Sequence, residues 1–238
     1  MPAAIIILAV ALVLVGLIAN AKAKALREAR RADFIRSYSY PKGLIERLMK
    51  RRPELQAKQA QLVARALRQF FLAHLKSGRQ FVSMPSQVAD DLWHEFILYT
   101  RHYEQFCQQA FGQFMHHTPA VVLTANQANQ TDNAGLRRCW WQCCKEENIN
   151  PNSPTRLPLL FALDAKLGVA DGFRYAPDCK ALRAAGSGDT GGAAVYCGGD
   201  FSSASFDGGT DGLGDGGGAD SGGDGGGGDG GCGGGGGD

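Results

Sequence analysis

The residues with the clearest capacity for chemistry are histidines and cysteines in the middle of the chain. The 238-residue sequence has five histidines and seven cysteines, and both side chains are common zinc ligands in proteins. His94 lies in DDLWHEFILYTRHYEQFC, and His116 and His117 follow in FGQFMHHTP. Cys139 and Cys143 are four residues apart in CWWQCC, a spacing that places both on one face of a helix. These five residues are the candidate zinc ligands.

The spacing of these residues matches no established zinc motif. The sequence has no CxxC pair and no HxxxH or HExxH motif. His94 and His102 are eight residues apart, which turns them by about 80° on a helix. The alternative interpretation is structural: the histidines bond neighbouring loops, and the cysteines pack as small apolar groups beside Trp140 and Trp141.

Enzymatic activity is not indicated. Cys107 falls inside a predicted helix rather than at a helix N-terminus, where a thiol would become more reactive. The chain also lacks GxSxG, a Walker A motif and a GxGxxG between a strand and a helix. No catalytic residue and no cofactor besides zinc is therefore predicted.

The stretch around His94 predicts one amphipathic helix. At 100° per residue its apolar residues form a stripe about 80° wide, which contains Val88, Leu92, Phe96, Tyr99, Tyr103 and Phe106. His94 lies about 160° from the centre of that stripe. We therefore expect its ring to face the segment from Phe111 to Pro119 and to fasten that segment to the helix.

The same stretch resembles the glycine-rich domain-containing protein-like family. The resemblance is carried by a Trp-His pair, a later Tyr and a Gly/His/Pro segment, here Trp93, His94, Tyr103, Gly112, His116, His117 and Pro119. One position differs, since many members have a second histidine where this chain has Phe96. The resemblance implies a helical fold and no established enzymatic activity.

The N-terminal region predicts a membrane anchor. Residues Pro2 to Ala19 carry no charge and would form about 27 Å of helix, close to the thickness of a bilayer core. All nearby cations follow the run, beginning with Lys22 and Lys24. This distribution predicts an N-terminus outside and a C-terminal domain in the cytoplasm. The alternative is a cleaved signal peptide ending at the ANA of residues 19–21, although no positive charge precedes the apolar run.

Charge and cysteine usage agree with this topology. Between Lys22 and Lys58 there are twelve Lys or Arg and four Asp or Glu, a balance that favours anionic lipid headgroups. No nucleic-acid readout motif accompanies the cations, so no nucleic-acid partner is expected. An odd number of cysteines is typical of free thiols in a reducing compartment.

The C-terminal region predicts a disordered tail. From Gly186 onwards the chain holds 26 of its 33 glycines, nine aspartates and no Lys or Arg. Such a segment has too little apolar surface to offset the chain entropy lost on folding. Calcium-binding nonapeptide repeats are also disfavoured, because the Asp spacing between Asp207 and Asp229 is four or five residues and no large aliphatic residue follows Leu213.

The sequence therefore predicts a mainly α-helical protein in four parts: a transmembrane anchor at 1–21, a basic juxtamembrane helix at 22–40, a helical domain at 41–183 and a disordered tail at 184–238. We expect a single-pass, membrane-anchored interaction module with an unknown protein partner. The alternative is a metal-binding or thiol-redox protein that uses the His/Cys cluster.

Overall fold

A computed structural model describes residues 2–117, 133–177 and 195–201 of the chain. In α1 the description of side chains begins at Ile7. The described part is mainly helical, as predicted, with these elements: α1 Pro2–Ser37, α2 Leu44–Arg51, α3 Ala57–Lys76, α4 Gln87–Leu98, α5 Thr100–Ala110, α6 Asn133–Glu146, α7 Leu159–Leu167, β1 Arg174–Ala176, β2 Val195–Cys197 and a 3-10 turn Gly198–Phe201.

Helix α1 runs without interruption through the predicted anchor and the predicted neck. Its described side chains are exposed up to Arg30, whereas Ala32 and Ile35 are buried in the domain core. The end of the neck is thus a packed element of the domain. Among the residues whose side chains the structure describes, which begin at Ile7 in α1, no helix combines the length and the apolar character that a membrane crossing requires.

Helix α3 is the centre of the domain, in contact with α1, α2, α4, α6 and α7. Its sequence is rich in Ala, Leu, Gln and Arg, which favour helix, and Gln56 and Gln59 form a reciprocal capping box at its start. Phe71 on α3 lies 4.8 Å from the ring of Phe106 on α5. It also contacts Trp93 and Phe96 on α4. This aromatic cluster joins α3, α4 and α5.

The prediction of one long helix around His94 was wrong, because the helix is interrupted at Tyr99. Tyr99 has ψ 57°, outside the helical range, and its amide donates to Phe96 O at 3.0 Å. The apolar stripe predicted across the interruption is nevertheless buried at Val88, Leu92, Phe96, Tyr103 and Phe106, whereas Tyr99 is partly exposed. Phe96 and Phe106 both contact Tyr38, which lies just after α1.

A carboxylate from a distant part of the chain holds the start of α4. The buried Asp164 on α7 accepts hydrogen bonds from Ser86 Oγ at 2.7 Å and from the Gln87 amide at 2.7 Å. Its Oδ2 also accepts a bond from the Phe173 amide at 2.9 Å. A negative charge at this position stabilises the positive end of the helix. Asp164 therefore fixes the position of α4, which carries His94.

The folded region extends past the boundary predicted at residue 183. β2 pairs in parallel with β1, in a register that places Val195 opposite Arg174. Phe201 is buried, with its ring 5.7 Å from that of Trp140. Residues 195–201 are therefore part of the domain, because an aromatic side chain in them completes its core. The rest of the predicted tail lies outside the described residues.

Candidate functional site

Three polar side chains converge where α4 meets the segment after α5. Asp90 and His94 are one helical turn apart on α4, and His117 comes from the segment that follows Ala110. Asp90 Oδ1 lies 2.9 Å from His117 Nε2, and Asp90 Oδ2 lies 3.6 Å from His94 Nδ1. One ligand atom from each residue falls within 4.8 Å of the other two. Zinc ligands are about 3.3 Å apart around a tetrahedral ion, so small side-chain shifts would bring these three atoms to the distances required to bind one zinc ion.

The imidazole of His94 has a nitrogen that faces inward without a hydrogen-bond partner. Its Nδ1 is inaccessible to solvent and unbonded, although 38 % of the side chain is exposed. The 3.6 Å to Asp90 is too long for a good hydrogen bond. An unpaired inner nitrogen beside a carboxylate and a second imidazole is the arrangement expected of ligands around one ion.

A chain of hydrogen bonds places His117 at this site. Trp93 Nε1 donates to Tyr103 Oη at 3.1 Å, and Tyr103 Oη donates to Met115 O at 2.6 Å. The indole of Trp93 also packs on His117, with ring centroids 4.5 Å apart. The backbone before His117 is therefore fixed to α5, and its ring is held against α4.

Gly112 allows the chain to turn back from α5 towards the site. It has φ +75°, which favours glycine, and a Cβ there would lie 2.6 Å from Arg31 Nη2. Arg31 Nη1 donates to Phe111 O at 2.6 Å. The turn thus needs both a left-handed backbone and space for a guanidinium group.

The neighbouring acids on α4 are engaged in ion pairs. The buried Asp91 contacts Arg51 at 3.0 Å and Arg52 at 2.6 Å. Glu95 contacts Arg47 at 2.5 Å. These carboxylates are neutralised by arginines of α2 and its C-terminus. The carboxylate of α4 that contacts the rings of His94 and His117 is that of Asp90.

The cysteine candidates form a separate buried cluster. Cys139 Sγ and Cys143 Sγ lie 3.9 Å apart on α6, and both side chains are fully buried. Burial raises the pKa of Cys143 well above its ordinary value and that of Cys144 to about 12. The thiols of Cys143 and Cys144 therefore stay protonated at neutral pH and are poor nucleophiles. In the described part of the chain, the residues close enough to share an ion are Asp90, His94 and His117.

The other predicted site residues fall in different places. His116 is exposed, and its ring lies 4.9 Å from that of Phe114 rather than against His94. Pro119 lies outside the described residues. Asp90 was missed, although its position four residues before His94 is a readable signal of two ligands on one helix face.

A family model matches residues 30–201 of the chain, about three-quarters of its length, and describes the UCP032817-like family. The chain belongs to this family. The match to the UCP032817-like family covers the packed end of α1, the candidate site and the strand pair. No curated protein and no solved structure matches the chain. The resemblance to the glycine-rich domain-containing protein-like family gains no support from this match and stays a prediction.

Proposed function

We propose that the domain binds one divalent transition-metal ion, with zinc as the leading candidate, through Asp90, His94 and His117. The observation that carries the proposal is the convergence of their ligand atoms within 4.8 Å around the unpaired Nδ1 of His94. Two imidazoles and one carboxylate suit zinc and its neighbours in the first transition row.

Such a site would leave a coordination position open. Three protein ligands around a four-coordinate ion leave room for one water molecule or one external donor. The exposure of His94, at 38 %, places that position near solvent. A donor from a protein partner can occupy it, so the metal site is compatible with a role in protein interaction.

Metal analysis of the full-length chain tests the proposal. We expect about one zinc ion per chain after removal of bound metal, reloading and gel filtration. His94→Ala, His117→Ala and Asp90→Ala should each abolish stoichiometric zinc. His116→Ala is the matched control, because this exposed neighbour of His117 faces Phe114. Zinc retained by all three ligand variants, or lost from a Cys139→Ser, Cys143→Ser double variant alone, would contradict this assignment.

We also propose that α1 attaches the domain to a membrane, with the domain on the cytoplasmic side. Large apolar side chains in the first part of α1 are more than half exposed, and the domain leaves them uncovered: Ile7, Leu8, Val10, Leu12, Val13, Leu14, Val15, Leu17, Ile18 and Leu26. Cations follow the apolar run at Lys22, Lys24, Arg27, Arg30 and Arg31. Apolar surface of this extent is favourable in lipid and costly in water.

A topology reporter tests the attachment. A reporter fused after Asp238 should be active when it is of a type that works only in the cytoplasm, and the chain should resist extraction by alkaline carbonate. Activity of a reporter that works only outside the cytoplasm would reverse the orientation. Complete extraction by carbonate would exclude an integral anchor.

A further inference from the structure

Two exposed phenyl groups border one shallow cavity of the domain. Phe81 is 46 % exposed and Phe114 is 41 % exposed. Both line a cavity of about 200 Å³ together with Arg79, Gln113 and His116. Among the described large hydrophobic residues outside α1, Leu98 is the other one with comparable exposure. Two of the three large hydrophobic side chains that are this exposed in the described part of the domain outside α1 therefore lie at this cavity.

The cavity lies at the end of the domain from which α1 continues towards its apolar half. α5 runs antiparallel to α1: Tyr38 contacts Phe106 near the end of α1, and Arg31, about two turns earlier on α1, bonds Phe111 O. α3 also runs antiparallel to α1. Tyr40, just after the end of α1, contacts Ala64 in the first half of α3. Arg79, just after the end of α3, bonds Phe111 O, which Arg31 of α1 also bonds. The turns after α3 and α5 therefore lie beside the emerging α1.

Three guanidinium groups bond the backbone of these two turns. Arg31 Nη1 and Arg79 Nη1 donate to Phe111 O at 2.6 and 3.1 Å, and Arg138 Nη1 donates to Phe81 O at 2.9 Å. The same end of the molecule thus combines exposed aromatic rings with a cluster of cations. Membrane-surface segments show this combination, because aromatic rings enter the headgroup region and cations attract anionic lipids.

We propose that Phe81 and Phe114 form a second lipid contact, inserted at headgroup level into an anionic phospholipid surface. This contact rests on the proposed attachment through α1 and is independent of the proposed metal site. It would hold the domain against the bilayer with a fixed side towards the lipid, instead of leaving it mobile at the end of α1.

The length of α1 is compatible with this contact. Lys22 and Lys24 can extend their ammonium groups to the membrane–water interface. The part of α1 embedded in lipid can therefore continue to the exposed Leu26. Pro2–Leu26 would then span about 37 Å of helix, longer than the ~30 Å bilayer core, and a helix of that length tilts. From Leu26 to Arg31 is only about 8 Å of helix, comparable to the thickness of the headgroup region. A tilt of α1 towards the domain would bring the turns after α3 and α5 to the lipid surface.

Quenching by brominated lipid tests the contact in the full-length chain. Phe114→Trp and Phe81→Trp are reconstituted into vesicles of phosphatidylcholine with phosphatidylserine, with lipid brominated near the start of the acyl chain. We expect the added tryptophan to be quenched at least twofold more than the wild-type background from its three native tryptophans. Leu98→Trp is the matched control, because Leu98 is exposed elsewhere on the domain, and it should add no quenching.

The outcomes separate this contact from the attachment itself. A chain that floats with the vesicles but shows equal quenching at residues 114 and 98 overturns the second contact and leaves the attachment intact. A chain that does not float with the vesicles overturns both. Equal quenching at residue 114 with and without phosphatidylserine overturns the preference for anionic lipid. Zinc binding should be the same in all these variants.

Discussion

The hydroxyl of Tyr103 donates a 2.6 Å hydrogen bond to the carbonyl oxygen of Met115, two residues before His117. The hydroxyl oxygen of Tyr103 in turn accepts a hydrogen bond from the indole N–H of Trp93 at 3.1 Å. Tyr103 thus links the helix that carries His94 to the segment that carries His117. Its hydroxyl is buried, so neither bonded group has water as an alternative partner.

Tyr103→Phe should therefore affect both stability and metal binding. Loss of the hydroxyl leaves the Trp93 N–H and the Met115 carbonyl unpaired, at a cost of about 1–3 kcal/mol. Zinc affinity should fall about tenfold or more, since support around metal ligands typically contributes 10–100-fold. Urea unfolding and zinc titration measure the two effects. Tyr99→Phe is the control, because its hydroxyl makes only an exposed 3.4 Å contact; an equal loss in both variants would contradict the assignment.

His94→Ala distinguishes a metal ligand from a structural fastener. The ring of His94 lies 4.2 Å from that of His117 at an interplanar angle of 50°, but its Nδ1 makes no hydrogen bond. We expect the metal-free domain to lose less than about 1 kcal/mol of stability, because no buried hydrogen bond is broken. Zinc binding should be lost. A stability loss of 2 kcal/mol or more, with zinc retained, would support the fastener instead.

Asp164→Ala should destabilise the domain by about 2–4 kcal/mol. The substitution removes a helix cap, and it leaves the buried hydroxyl of Ser86 and the part-buried amides of Gln87 and Phe173 without their acceptor. Thermal or urea unfolding measures the loss. Asp33→Ala is the control, because Asp33 is exposed on α1 and pairs only with Arg36 at 3.1 Å; its effect should stay within about 0.5 kcal/mol. A similar loss of stability in Asp164→Ala and Asp33→Ala would show that the Asp164 cap contributes little to stability.

Stability should decrease on acidification because of Glu146. Burial alone would raise its pKa, but hydrogen bonds from Arg36 at 2.8 Å and Lys76 at 2.5 Å outweigh burial and hold the pKa below its ordinary value. A lowered folded-state pKa contributes stability above the unfolded value, about 4.3, and that stability is lost as the pH falls through the folded value. Glu146→Gln should therefore flatten the fall in urea midpoint between about pH 5 and 3. The exposed Glu104→Gln should leave the fall unchanged.

Phe201→Ala tests whether residues 195–201 stabilise the domain. The ring of Phe201 packs against Trp140, Phe161 and Tyr175. Removing a buried phenyl group costs about 3–5 kcal/mol. Leu98→Ala, at an exposed site, should change the free energy of unfolding by less than about 0.5 kcal/mol. No effect of Phe201→Ala would return the domain boundary to the position predicted from sequence.

The sequence predicted the helical class and drew attention to most of the residues at the site. The sequence singles out Trp93, His94 and His117, because a Trp-His pair in a predicted helix is followed by two adjacent histidines. The position of His94 against the segment after α5 agrees with the expectation from sequence, since its ring lies 4.2 Å from that of His117. The choice of His117 over His116 was not predictable, because it depends on the turn at Gly112 and on the hydrogen bonds that join Trp93, Tyr103 and Met115. The cysteines were linked to the histidines by residue type alone, and the structure places them in a separate buried cluster.

The C-terminal boundary of the domain was predicted too early for a different reason. Glycine content and aspartate charge dominate the composition after Gly186, and a composition average cannot detect one aromatic residue that completes a core. Phe201 and Gly198 both lie against Trp140, and a Cβ at Gly198 would be 2.6 Å from the Trp140 ring. The glycine in this short stretch therefore permits close packing.

The cap on α4 has a consequence for synthesis of the chain. Ser86 and its partner Asp164 are separated by 78 residues, and translation adds about 5–20 residues per second. The helix bearing Asp90 and His94 therefore waits roughly 4–16 s for the carboxylate that holds its first turn. If α1 enters a membrane as proposed above, it is available for insertion during that interval, so attachment would precede assembly of the site formed by Asp90, His94 and His117.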